Sequence, residues 1–218
     1  MCFSGVNLLN ISLDTLKSDR YQYITRRKGL DRVIAGIERV AHGRFDKVKV
    51  NCVLMRGFNT DEIVNFAELA CKYPVEVRFI EFMPFAGNDW TSDRVFTGKE
   101  ALGMVLERFP NLTRVEGRIN ETCKLYKDYD NMKGELGFIS SLSDMFCASC
   151  NRLRVTSDGN LKVCLFGKDE LSLRDMMRSG ASDDDLVEAV AKALLRKKKQ
   201  HGGRSRLDLW ASWKVDRY

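Results

Sequence analysis

Three cysteines stand in the run Phe146-Cys147-Ala148-Ser149-Cys150-Asn151-Arg152-Leu153-Arg154 and at Cys164, a C-x2-C-x13-C spacing. Structural zinc takes four protein ligands, usually as two pairs. Three thiolates without a nearby fourth suit an iron–sulfur cluster with one iron left open, or a catalytic metal with an open position. Arg152 and Arg154 follow at once, and on an extended segment they share a side, because strand side chains alternate. An open metal beside two guanidiniums reads as a site for an anionic, phosphorylated substrate. The plainer readings are buried structural cysteines or an incomplete zinc ribbon.

Other charged and polar residues stand where apolar ones are expected. Lys49 lies within the apolar run Lys47–Met55 and Arg78 within Val75–Met83. A cation inside such a strand is costly unless it meets an anion. That anion is either a bound ligand or an internal carboxylate such as Glu76 or Glu81. Ser12 ends the apolar run Leu8–Ser12, where α/β barrels place functional groups, although a plain helix-entry hydroxyl has the same position. Cys52 and Cys71 occupy apolar positions and read as core. Cys123 lies in a separate strand from the cysteine run, Met83 reads as core, and His42 ends a helix.

The elements that must position these residues form two rhythms. Strands are predicted at Leu8–Ser12, Lys47–Met55 and Val75–Met83, the first of them buried. Helices are predicted at 29–41, with Leu30, Val33, Ile34, Ile37 and Val40 at helical spacing, and after a Thr60 cap. Such βα units imply parallel strands with crossover helices. Beyond Pro84 come a helix at 98–108, a connector at 110–121 and shorter strands at 123–129, 135–140, 152–156 and 160–166. Asp158-Gly159 signals a hairpin between the last two. Helices close the pattern at 171–178 and 183–195, the second with an acidic first turn.

The 218 residues suffice for one large or two small domains. Seven cysteines, clustered and odd in number, favour metal ligation in a reducing compartment over a disulfide framework. The net charge of +6 resides wholly in residues 196–218, which hold eight Lys or Arg against Asp208 and Asp216. The rest balances, so a general nucleic-acid surface is not expected. Arg196-Lys197-Lys198-Lys199 reads as a solvated helix end. No apolar stretch is long enough to cross a membrane, and no secretory signal is visible.

Taken in order, Ser12-Leu13-Asp14, Lys49-Val50-Asn51, Arg78-Phe79-Ile80-Glu81-Phe82-Met83 and Cys147…Cys150…Cys164 with Arg152 and Arg154 resemble the GTP 3′,8-cyclases of molybdenum cofactor biosynthesis. These are radical S-adenosylmethionine enzymes, and the likeness runs from about Gly5 to His201. It implies α/β architecture: the C-terminal half of a partial (β/α) barrel plus a smaller α+β domain. The divisions are a barrel portion at 1–108, a cluster and substrate-binding domain at 109–203 and a divergent basic tail at 204–218.

By the same resemblance, Cys147, Cys150 and Cys164 hold a [4Fe–4S] cluster whose open iron binds the guanine of GTP. Lys49, Arg78, Arg152 and Arg154 contact the triphosphate; Ser12 and Met83 contact S-adenosylmethionine. A second [4Fe–4S] cluster, on a C-x3-C-x2-C loop in the family, cleaves S-adenosylmethionine to a radical that removes the ribose 3′ hydrogen, and the sugar carbon then attacks C8. A homodimer, or pairing with a full-length enzyme, and a mitochondrial matrix location are also implied.

The sequence departs from that pattern. It contains no C-x3-C-x2-C motif, and Cys2 is the sole cysteine before Cys52. The family's terminal Gly-Gly has no clear counterpart, since Gly202-Gly203 is followed by an unrelated Arg204–Tyr218 segment. With only the last three barrel strands, Leu8–Ser12 is expected to form an exposed apolar edge prone to aggregation. The chain is expected to be a fragment, a shortened isoform or an incomplete gene product. It then acts as the substrate-side part of the enzyme, or as a catalytically inactive GTP- and cluster-binding fragment or regulatory isoform.

Overall fold

A run of βα units followed by antiparallel strands builds one mixed sheet. The computed structural model describes residues 5–85, 88, 90–117, 122–144, 150–165 and 170–197. Strand β1 (Leu8–Ser12) leads through helix α1 (Ser18–Thr25) and helix α2 (Leu30–Ala41) to β2 (Lys47–Leu54). A short 3-10 turn (Thr60–Glu62) opens α3 (Ile63–Lys72), and β3 (Glu76–Glu81) follows. Next come α4 (Gly98–Arg108), β4 (Thr113–Arg114), β5 (Lys124–Lys127) and β6 (Glu135–Ile139). The sheet order is β1-β2-β3-β6-β5-β4, with β1, β2, β3 and β6 mutually parallel, β5 antiparallel to β6, and β4 antiparallel to β5.

Burial in β2 alternates strictly between half-buried and buried residues. Val48, Val50, Cys52 and Leu54 enter a core with Val77 and Phe79 of β3, Leu136 and Phe138 of β6, Ile37 of α2, and Phe66 and Ala70 of α3. Phe79 meets Phe66 edge-on and Phe138 at a tilt, both within aromatic contact distance. The helices thus cover one face. Helix α4 starts with a capping box: Thr97 Oγ1 accepts the Glu100 N–H at 3.2 Å, and Glu100 accepts the Thr97 N–H at 2.9 Å.

Several expectations change at this level. The first strand is not buried: β1 is the terminal strand of its sheet, and Leu8 is 51% exposed. Thr60 does not cap α3; it begins the 3-10 turn, preceded by Asn59. Helix α1 has no counterpart in the sequence reading, because it buries none of its residues and shows no apolar stripe. It is held instead by charge, with Arg20 on Asp61 and Glu62 and with Lys17 beside it on Asp61. The connector at 110–121 includes the two residues of β4.

The described residues fall into two compact units, 1–144 and 145–218. Strands β4–β6, beyond the expected division at residue 108, join the sheet of the first unit. The second holds the three-stranded order β7 (Arg154–Val155), β8 (Asn160–Lys162), β9 (Leu171–Ser172), then α5 (Leu173–Arg178) and α6 (Asp183–Leu195). The hairpin between β7 and β8 turns at Asp158-Gly159, where Gly159 takes φ 82° and its N–H donates to Thr156 O at 2.9 Å. Cys147 and residues 204–218 lie outside the described residues.

Candidate functional site

The sheet face away from the helices is polar. A parallel strand buried on both faces reads as a continuous apolar run, so polar side chains recurring at every second position need a reason. Register places Ser12, Asn51, Arg78 and Gly137 in one row across β1, β2, β3 and β6. The row before it holds Asn10, Lys49, Glu76 and Glu135. Three of the residues singled out in the sequence, Ser12, Lys49 and Arg78, therefore share a face. Met83 stands beyond the end of β3, and its carbonyl accepts from Asn88 Nδ2 at 2.8 Å.

The charges on this face are partly matched internally. Arg78 Nε is paired with Glu76, which is 2% exposed, and Lys47 Nζ lies 2.6 Å from the other Glu76 oxygen. Lys47 also approaches Glu135 at 3.4 Å. Burial pushes the Glu76 carboxyl up, but Lys47 and Arg78 override it and hold it below the usual range. The internal carboxylate alternative for Arg78 is thus realised as Glu76. Glu81 serves elsewhere: its carboxylate accepts the N–H groups of Gly98, Leu142 and Ser143 at 2.8–2.9 Å. Gly137 makes room for the Arg78 stem, since a Cβ there would lie 3.2 Å from Arg78 Cγ and would overlap Cys123 Sγ.

At the carboxyl ends of β1–β3 a cleft of about 610 Å³ opens, lined by Asp14, Val53, Met55, Phe58, Phe82 and arginines including Arg26 and Arg94. This is the end where open α/β sheets and barrels place ligands. Asp14 Oδ1 accepts the Val53 N–H at 2.8 Å, yet burial keeps its carboxyl above its ordinary value. Asn59, 1% exposed, ties the cleft floor together through Asp14 O, Val53 O and the Met55 N–H. The cleft was missed in the sequence because α1, which supplies Tyr23 and Ile24, has no periodic signal.

In the second unit, Cys150 and Cys164 are half-buried free thiols, Cys164 two residues past β8. Cys150 is pushed up by burial, but the Arg152 N–H and the Lys197 ammonium outweigh that and lower it. Lys197 Nζ donates to Cys150 O at 2.7 Å and Arg152 O at 3.0 Å, and lies 3.4 Å from Cys150 Sγ. This soft donor with thiolate-favouring neighbours fits an iron–sulfur ligand. The expected solvated helix end does not hold for Lys197, whose ammonium turns onto the cysteine loop. Strand β7 begins at Arg154, so alternation does not extend to Arg152, which is exposed in the preceding irregular segment. Among the described residues no three His, Cys, Asp or Glu converge as a metal site; the third cysteine of the motif, Cys147, is not one of them.

Among the described residues, Cys52, Cys71 and Cys123 behave as core and His42 as a cap. Cys52 is fully buried and its thiol is pushed well up by burial; burial also raises Cys71. Cys123 is buried just before β5, and His42 is the C-cap of α2. No helix among the described residues is long and apolar enough to cross a membrane.

Comparison with known proteins supplies the family. Residues 1–70 match the Radical SAM superfamily model, and residues 75–203 match the model described as Molybdenum Cofactor Synthesis C. The chain is 51% identical over 199 residues to "Molybdenum cofactor biosynthesis protein 1" of Drosophila melanogaster, covering 91% of this chain and 35% of that protein. It is 48% identical to "GTP 3′,8-cyclase, mitochondrial" of Arabidopsis thaliana and 41% to "GTP 3′,8-cyclase" of Clostridium perfringens. Each alignment covers 91% of this chain, with 51% of the plant protein and 60% of the bacterial one. The chain thus spans between about a third and three fifths of these relatives. With the match at 75–203 extending over more than half of its 218 residues, the chain belongs to the Molybdenum Cofactor Synthesis C family.

Proposed function

We propose that the chain is the substrate-side portion of a GTP 3′,8-cyclase in molybdenum cofactor biosynthesis. The observation that carries this reading is the polar face of the parallel sheet, which Ser12, Lys49 and Arg78 share while Val50, Val77 and Phe79 enter the core on the other side. Cations on rigid strands are suited to a polyphosphate, which carries more charge than one internal carboxylate can match. Lys49 and Arg78 bind the GTP triphosphate, and Arg152 and Arg154 serve the same anion. Ser12 and Met83 bind S-adenosylmethionine. Cys147, Cys150 and Cys164 hold a [4Fe–4S] cluster with one iron open for the guanine, and the Lys197 contacts support this by orienting the Cys150 loop.

When bound, S-adenosylmethionine and its cluster supply one-electron chemistry that removes the ribose 3′ hydrogen. The chain's own residues fix the nucleotide so that the sugar carbon faces C8 of its base, an intramolecular closure governed by orientation. By the same reading residues 1–108 are the barrel portion, 109–203 the cluster and substrate portion and 204–218 a divergent tail. Location in the mitochondrial matrix, and a homodimer or pairing with a full-length enzyme, belong to this proposal; the named plant relative is mitochondrial.

A second reading is favoured by one observation, the lack of a C-x3-C-x2-C motif in this sequence. On that reading the chain binds GTP and one cluster but does not itself generate the radical. Both readings are tested by anaerobic reconstitution with iron and sulfide, followed by GTP titration under EPR. About four irons per chain and a cluster spectrum that shifts with GTP are expected. One colourless zinc, or a cluster indifferent to GTP, rejects the substrate site. Turnover by the chain alone rejects the second reading.

A further inference from the structure

Asn51 lies at the centre of the polar face, between Ser12 of β1 and Arg78 of β3 in the same row. Its Oδ1 is closed off from solvent and has no hydrogen-bond partner among the described residues. Buried polar atoms are almost always paired, and an orphan acceptor in a well-formed sheet marks a place where a donor is missing. Of the cationic groups on this face, Arg78 Nε is engaged by Glu76, and Lys47 by Glu76 and Glu135.

The missing donor has a definable chemistry. Ionised phosphates carry acceptors only, so the triphosphate assigned to Lys49 and Arg78 cannot satisfy a carbonyl oxygen. Asn51 follows Lys49 by two residues on the same face, a separation of roughly 7 Å. The part of a nucleotide joined directly to its phosphates is the ribose, whose hydroxyls are donors. We propose that Asn51 Oδ1 accepts a ribose hydroxyl of the nucleotide bound on this face and so distinguishes ribose from deoxyribose there. The inference rests on the functional reading above. Two bound molecules of that reading carry a ribose, GTP and S-adenosylmethionine, and the test separates them.

The reconstituted 218-residue chain is titrated with GTP, 2′-deoxy-GTP, 3′-deoxy-GTP and S-adenosylmethionine, alongside Asn51→Leu and Asn51→Asp. The unsubstituted chain is expected to prefer GTP over at least one deoxy analogue by about ten-fold or more, because loss of the donor leaves the acceptor unpaired. Asn51→Leu abolishes that preference, whereas Asn51→Asp, which keeps an acceptor in place, retains it while weakening every triphosphate. If the ribose belongs instead to S-adenosylmethionine, Asn51→Leu weakens that ligand by a similar factor and the GTP series is unchanged. Should Asn51→Leu fail to fold, Asn51→Ala reads the same difference. Affinities for all four ligands that are unmoved by substitution overturn the inference and leave the functional reading intact. No binding of either GTP or S-adenosylmethionine by the unsubstituted chain overturns both.

Discussion

Buried carboxylates do much of the positioning at the scale of single residues. Glu81 stands at the end of β3 with 2% exposure and collects the amides of Gly98, Leu142 and Ser143, joining the start of α4 to the segment after β6. Glu81→Ala leaves the buried N–H groups of Gly98 and Leu142 and the half-buried one of Ser143 without an acceptor, and denaturant unfolding is expected to show a loss of about 3 kcal/mol or more. Glu62, 1% exposed, does the same for the β1–α1 segment through Thr15, the Leu16 N–H and Arg20. Its neighbour Asp61 is held down to about 2 by Arg20 and Lys17. Burial pushes Glu100 up, but Arg56 and the Thr97 cap bring it to about 2. Both folded values lie below the ordinary carboxylate range, so the stability they contribute is fully present above about pH 4.5 and is lost as pH falls toward 2. Asp61→Asn and Glu100→Gln together are expected to flatten the acid limb of a stability–pH curve while leaving its slope above pH 5 unchanged.

Among the elements, the two sides of the sheet carry opposite risks. β1 is a terminal strand with Leu8 about half exposed and Val6 similarly open before it. Unpaired N–H and C=O groups beside apolar side chains template pairing with another chain. The chain is therefore expected to self-associate with rising concentration in sedimentation velocity, and Leu8→Lys to shift it toward monomer without changing its far-UV spectrum. Strand β6, by contrast, is inserted between β3 and β5 and depends on one close approach. A Cβ at Gly134 would stand 2.8 Å from Val75 N and 2.9 Å from Tyr73 O, with the Val75 carbonyl closer still. Gly134→Ala is expected to cost about 3 kcal/mol and to raise amide exchange in β6 before that in β2.

The described residues divide the buried core unevenly between the two units. Among the described residues beyond 144, Leu161 is the one buried hydrophobic side chain, whereas Met177, Val187 and Leu195 are each more than 60% exposed. The described part of this unit thus buries little apolar surface, and small domains of that kind draw stability from a bound metal. Under the proposed function, loading with iron and sulfide is expected to slow amide exchange across β7, β8 and β9 by at least ten-fold, measured by mass spectrometry. Exchange in β2 and β3 is expected to stay the same. Lys197→Met should reduce that protection and the iron retained, since it removes three contacts that hold the Cys150 loop.

What the sequence determined alone was whatever has a local cause. Helices α4 and α6 fill the expected ranges 98–108 and 183–195, and each starts at a capping box written within four residues, Thr97 with Glu100 and Ser182 with Asp185. The Asp158-Gly159 turn was legible because only a glycine adopts that φ cheaply, and β1–β3 because their apolar runs are dense. The types and spacing of Ser12, Lys49, Arg78 and the cysteines were enough to mark them as unusual. Tertiary structure decided the rest, through pairings far apart in the chain. Register put Ser12, Asn51 and Arg78 in one row; Glu76 emerged as the partner of both Lys47 and Arg78; helix α1 was held by ion pairs from more than forty residues away. The orphaned oxygen of Asn51 and the turn of Lys197 onto Cys150 are of the same kind. A sequence states which groups need partners, and only the folded chain brings a partner within reach.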